Sequence, residues 1–137
     1  MQTGNKETVR AVLDAFCRND LDVAADYFAE DATMTNNTIT EVRRGRPAIR
    51  AHFDRWHASF SAATARIVEL LEVGDTVVGV FYGEGTNTGP IGDRPATGKR
   101  YSIKYCELYR FGPDGKIVAN EGFFDQLSML RQLGLAP

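Results

Sequence analysis

Apolar positions in the first half of the chain recur at helical spacing, and those in the second half alternate as strands do. Val9, Val12, Leu13, Phe16 and Cys17 fall three and four apart, which predicts a helix from about Lys6 to Arg18 that ends at Asn19. Asp20 is placed to cap a second, short helix with Leu21, Ala24, Ala25 and Phe28 on its apolar side, and Asp22 adds negative charge to its first turn. These two helices form a hairpin. A short strand is expected around Thr33 and Met34. Gly45-Arg46-Pro47 then reads as a helix start, followed by the stripe Ile49, Phe53, Trp56 and Phe60. From Thr64 the period becomes two. Residues 64–73 and 76–85 flank the tight connection Gly74-Asp75, and residues 100–111 and 116–125 flank Gly112-Pro113-Asp114-Gly115. Gly85 to Gly98 is a loop between the two hairpins, and Leu127 to Leu133 forms a last short helix ended by Gly134. Helices first and antiparallel strands after define an α+β domain with helices on one face of a sheet.

Composition changes this picture little. With 137 residues, 43% hydrophobic and 25% charged, the chain is one ordinary domain spanning 1–137, without repeat or low-complexity segment. A net charge of -2 provides no broad cationic surface for nucleic acid or anionic lipid. Cys17 and Cys106 are too few and too far apart for a disulfide or metal framework, so both read as reduced, packed thiols. The polar stretch from Gln2 to Lys6 and the lack of any apolar run near ~18 residues predict a soluble, unexported, cytoplasmic protein with no membrane partner.

Candidate chemistry concentrates in Glu121-Gly122-Phe123-Phe124-Asp125. If the strand runs to residue 125, its period places Glu121, Phe123 and Asp125 on one face. Pairing Phe111 with Ile117 across the turn then sets Glu107 against Glu121, Tyr105 against Phe123 and Ile103 against Asp125. Asp125 would stand beside Tyr105 and Phe123, where lost hydration raises a carboxylate's pKa and suits it to proton transfer. The alternative is that Asp125 caps the last helix. Glu107 and Glu121 are either a coupled carboxylate pair or residues of the solvent edge, and the edge is favoured.

Other candidates have ordinary readings beside the functional ones. Trp56 belongs to an aromatic core stripe and can also line a pocket mouth; Tyr27 and Asn36 can reach a cavity or serve a helix surface and a turn. His52 and His57 lie about 140° apart round a helix, poor geometry for one metal, and read as surface or satisfied histidines. Gly83-Glu84-Gly85 precedes no helix and has the wrong spacing for a dinucleotide loop. Arg43-Arg44-Gly45-Arg46-Pro47 contains the core of a minor-groove hook. It lies between folded segments of a slightly acidic domain, so nucleic acid is not an expected partner.

Several runs together resemble the SnoaL-like polyketide cyclases and their ester-cyclase relatives. These are Gly85-Thr86-Asn87-Thr88-Gly89-Pro90, Pro95-Ala96-Thr97-Gly98-Lys99, Tyr109-Arg110-Phe111 with Asp114-Gly115-Lys116-Ile117, and Glu121 to Asp125 with Gln132-Leu133-Gly134. Phe28-Ala29-Glu30-Asp31-Ala32 is similar to the wider superfamily of ketosteroid isomerase and nuclear transport factor. The resemblance implies a conical α+β barrel, with three N-terminal helices closing a strongly curved antiparallel sheet over an apolar pocket. It also implies a small hydrophobic or polyketide-like ligand, and exposed apolar surface on the outer sheet face would suit a homodimer. The implied chemistry is cofactor-free and metal-free, with Asp125 as general acid and base for aldol-type ring closure. Asn87 and Phe123 stand where the family often has His and Trp; together with Tyr27, Asn36, Trp56, Tyr105 and Glu121, taken from the reading of the residues themselves, they make the expected substrate-binding set. An isomerase, dehydratase or epoxide hydrolase on the same scaffold, or a binder of hydrophobic ligands without turnover, are the alternatives.

Overall fold

In the computed structural model, which describes residues 4–137, four helices and six strands follow the order α1 (Asn5–Cys17), α2 (Leu21–Asp26), β1 (Phe28–Asn36), β2 (Arg43–Arg44), α3 (Arg46–Ser59), β3 (Phe60–Val73), β4 (Thr76–Asn87), β5 (Arg100–Phe111), β6 (Ile117–Phe123) and α4 (Gln126–Gln132). The strands form one curled, unclosed sheet in the order β2-β1-β6-β5-β4-β3. Every neighbouring pair is antiparallel except β1 and β6, which run parallel. Helices α1 to α3 cover the concave face. Val9, Val12, Ile49 and Phe53 meet Phe28, Met34, Val77, Phe81 and Ile117 there in the main core. A second cluster, Phe60, Ala63, Tyr101 and Ile103 with Met129 and Leu133 of α4, closes the other end.

The α+β class, the helix spans and both hairpin turns follow the sequence pattern. Three details differ. Phe28 and Phe60, expected in helical stripes, are the first residues of β1 and β3. Both helices stop because sheet bonds capture the chain: the carbonyl of Tyr27 accepts from the Ile117 amide at 3.0 Å, and that of Ser59 accepts from the amides of Thr88 and Gly89. β1 is also much longer than the expected segment around Thr33, since its parallel partner β6 lies some ninety residues away and leaves no local signal. Finally, β2 arises from the supposed hook. Gly45 takes φ 92°, Pro47 lies in the first turn of α3, and Arg46 donates to the carbonyl of Phe28 through Nε and Nη2 at 3.0 and 2.7 Å.

Along β4 the inward positions are Val77, Gly79, Phe81, Gly83, Gly85 and Asn87. Gly83 and Gly85 leave room for the rings of Tyr105 and Tyr101. A Cβ at either position would come within 3.1 and 3.0 Å of a ring carbon. The Gly-Glu-Gly motif therefore serves close aromatic packing.

Asn87 ends the strand as a fully buried hub. Its Nδ2 donates to the carbonyls of Ser59 (3.1 Å) and Gly89 (2.8 Å), and its Oδ1 accepts from the amide of Thr97 (2.8 Å). Its own amide and carbonyl bond Lys99 and Gly98. One carboxamide thus ties the end of α3 to both ends of the loop preceding β5. Truncation would leave several buried polar groups without partners, each costing about 1–3 kcal/mol. Asn87→Ala is expected to lower unfolding free energy by about 3 kcal/mol or more in urea melts, and a loss below ~1 kcal/mol would contradict the hub.

Candidate functional site

A cavity of about 410 Å³ lies between the helical layer and the concave face of the sheet. Its wall is read most simply as rows across the strands, because directly paired residues share a face. One row runs Arg43 (β2), Met34 (β1), Asn120 (β6), Tyr109 (β5) and Val77 (β4); the next runs Asn36, Gly122, Glu107 and Gly79. Tyr105 follows on β5, with its ring stacked on Phe81 at 5.1 Å between centroids. Asn36, Arg43, Tyr105, Glu107, Tyr109 and Asn120 all line the cavity, and Trp56, His52 and Arg55 contribute from α3.

The row order depends on one irregularity. Phe111 pairs with Ile117 as expected, yet Arg110 pairs with Ala119, so β6 carries an extra residue at Val118. A one-residue slip turns every later side chain to the opposite face. Asn120 and Gly122 therefore meet Tyr109 and Glu107, and Glu121, expected opposite Glu107, turns outward.

The slip turns Glu121 outward, and the end of β6 at Phe123, two residues short of the expected strand, leaves Asp125 outside the sheet. Asp125 is exposed, does not line the cavity and caps α4, its carboxylate accepting from the amide of Ser128 at 3.0 Å. Glu121 lies on the outer face, 4.0 Å from the Arg110 guanidinium, with both side chains about half exposed. Phe123 sits at the rim, 40% exposed. Glu107, assigned to the solvent edge by sequence, faces the cavity instead.

Of the other expected residues, Asn36, Trp56 and Tyr105 line the cavity as well, whereas Tyr27 and Asn87 do not. Asn36 turns its Oδ1 onto the Thr38 amide at 2.8 Å, and the Trp56 indole donates to the Tyr101 hydroxyl at 3.2 Å. Tyr27 ends α2, and Asn87 is occupied by the hub. His57 bonds the carbonyl of Phe16 at 2.8 Å, as a satisfied histidine should, but His52 faces the cavity. The residues that sequence reasoning missed are Tyr109, Asn120, Arg43, His52 and Arg55. For Glu107 a signal existed, since it interrupts the inward apolar run Ile103, Tyr105, Tyr109 and Phe111.

Glu107 faces the hollow of the cavity, yet protein encloses its carboxyl. Burial raises its pKa above the ordinary carboxylate range, while the Tyr109 hydroxyl and the Asn120 amide, whose Nδ2 donates to Oε2 at 2.9 Å, pull partly the other way. Burial and the nearby Glu107 charge push both Tyr105 and Tyr109 well above 10, so these phenols stay neutral donors. Burial lifts Tyr101 to about 12. At the β2 end, burial and then the charges of Arg43 and Arg55 push His52 down to about 3. The arrangement offers a carboxylate poised for proton transfer beside neutral hydrogen-bond donors, in a mainly apolar hollow.

A curled sheet closed by helices over such a hollow defines the nuclear transport factor-like, ketosteroid isomerase-like class of α+β proteins. Residues 9–120 match the SnoaL-like domain, and the chain belongs to that family. A candidate SnoaL-like polyketide cyclase from Jannaschia sp. CCS1 superposes with a TM-score of 0.87 at 18% identity, covering 100% of this chain and 99% of that one. IdmH from Streptomyces antibioticus, a candidate polyketide cyclase, gives 0.81 at 24% identity over 96% and 99%. A protein with a ketosteroid isomerase-like fold from Catenulispora acidiphila, in complex with trimethylamine, gives 0.81 at 21% identity over 96% and 94%. No curated protein sequence matches the chain. Among the described residues no helix is long and apolar enough to cross a membrane.

Two measurements check the electrostatics. A carboxyl with a raised folded pKa binds more protons in the native than in the unfolded state, so its contribution to stability is retained below the ordinary value of 4.5 and lost as pH rises through the folded value. Glu107→Gln is therefore expected to be more stable than wild type at pH 8, with the gap closing toward pH 4 in paired thermal melts. A gap independent of pH would refute the raised value. The His52 ring protons should show a flat chemical shift from pH 8 to pH 5 in NMR titration, and a midpoint near 6.5 would refute its enclosure.

Proposed function

We propose that this protein is a cofactor-independent enzyme acting on a small, largely apolar carbonyl compound, with Glu107 as general base and acid. The observation that carries this is the enclosed Glu107 carboxyl on the cavity wall, bonded by Asn120 and flanked by neutral Tyr105 and Tyr109. Glu107 takes the role that sequence reasoning gave to Asp125, because a proton-transfer group must reach the substrate before its pKa matters.

The steps follow from those groups. The Glu107 carboxylate removes a proton from carbon next to a carbonyl, and the C–H electron pair moves into an enolate. Tyr105, on the same wall, donates to the developing oxyanion, while the Tyr109 hydroxyl keeps its hydrogen bond to Glu107. The enolate carbon then attacks a second carbonyl of the same molecule, whose π electrons pass to its oxygen. Protonated Glu107 returns its proton to that oxygen, which closes a ring by aldol addition and restores the carboxylate. Exclusion of water and fixed orientation supply much of the rate. Membership of the SnoaL-like family supports ring closure over a simple proton shift.

The test is proton exchange, which both ring closure and isomerisation need as a first step. Wild-type protein should accelerate loss of the C1 deuterium of 2-tetralone in water, followed by NMR. Glu107→Gln should reduce that rate about a hundredfold or more, whereas Asp125→Asn, which keeps the helix cap, should leave it within about twofold. An unchanged rate in Glu107→Gln, or loss of exchange in Asp125→Asn at equal stability, would sink the assignment.

A further inference from the structure

The cavity has a second polar end that proton transfer does not use. Arg43 projects from β2 beside Met34, and Arg55 and His52 reach the cavity from α3. The Nη1 of Arg43 is buried and has no hydrogen-bond partner among the described residues. Neither Arg43 nor Arg55 takes part in an ion pair among those residues. The two guanidinium groups lie close enough to oppose each other's charge. Burial first, and Arg55 second, lower the pKa of Arg43, and exposed Glu41 offsets only part of this. His52, held neutral between the same arginines, presents a ring nitrogen without adding charge. A buried donor without a partner carries a desolvation cost, and the like charge of the exposed Arg55 adds to it, so an anion seated between the two guanidinium groups would relieve both.

We propose that Arg43 and Arg55, with His52, form a carboxylate-recognition subsite, and that the substrate is an apolar carbonyl compound bearing a free carboxylate. This rests on the reading of the cavity as the substrate site. It also sets the orientation of the substrate. Arg43 and Glu107 stand three strands apart, roughly 14 Å along the sheet before curling, so the carboxylate is held at the β2 end while the reacting carbon lies under Glu107. Like charges on substrate and base are thereby kept apart. The guanidinium fork suits a planar carboxylate better than an ammonium would, and its anchoring leaves the apolar body free to fill the remaining space.

The test compares 2-naphthoate with methyl 2-naphthoate, which share an apolar frame and differ in charge, by titration calorimetry. Wild type is expected to bind the carboxylate about tenfold more tightly or better than the ester. Arg43→Gln should abolish this preference and leave ester affinity within about twofold, with thermal melts confirming the fold. Glu107→Gln should keep the preference, since it lies at the other end. Equal binding of the two probes to wild type, or a preference that survives in both Arg43→Gln and Arg55→Gln, overturns the carboxylate subsite while leaving the cavity reading intact. Failure of folded wild type to bind either probe overturns both.

Discussion

The extra residue at Val118 governs most of what this molecule presents to its interior. Because strand side chains alternate, one unpaired residue between Ile117 and Ala119 exchanges the inner and outer faces for the remainder of β6. Upstream of it, Ile117 packs with Phe111 in the core; downstream, Asn120 and Gly122 come inward against Tyr109 and Glu107. Without the bulge, Glu121 would lie opposite Glu107, setting two carboxylates side by side over an apolar hollow. With it, Glu107 has an amide partner and an open space, while Glu121 and Asp125 keep their charges in water. The bulge thus avoids a costly charge pair and supplies the hydrogen bond that makes a single buried carboxylate tolerable.

How much of this could be read from residues alone depends on where the information lies. Helical stripes and the Gly-containing turns are local, so α1, α3, both hairpins and the end of α4 at Gly134 were legible. The parallel pairing of β1 with β6 is not local, and nothing in the sequence near Phe28 signals that its chain will continue as strand. The placement of the candidate site residues differs for a related reason. Alternation groups Glu121, Phe123 and Asp125 on one face, but the strand ends at Phe123 and Asp125 caps α4, and a bulge has no sequence signature strong enough to displace a regular register. Glu107 is legible as the one acid on an otherwise apolar inward stripe, but a regular register sets it against Glu121 and so reads both as solvent edge. The arginine at position 43 was hidden differently, within a basic run whose members turn out to do unrelated things. Arg46 secures β1, whereas Arg43 lines the hollow.

The two polar ends of the cavity stand on different supports. Glu107 sits on β5, in the middle of the sheet, where neighbours on both sides and the Tyr109 and Asn120 side chains fix its position. Arg43 sits on a two-residue edge strand with neighbours on one side only. The buried carboxyl is thereby built on a central, doubly supported strand, and the Arg43 guanidinium on an edge that can adjust more freely. Asn87 serves the same division from the far end, since its hydrogen bonds anchor the loop before β5 and so hold the strand that carries the carboxyl.

Gly122 gives this arrangement an evolutionary property. It lies between Asn36 and Glu107 in the cavity wall, and a methyl group added there would meet both at 3.7 and 3.8 Å, ordinary contact distances. Its backbone needs no special conformation, so substitution is not barred by strain. A lineage of such proteins can therefore reshape the floor of the hollow in single mutational steps, directly beside the Glu107 carboxyl, without disturbing the register that put it there.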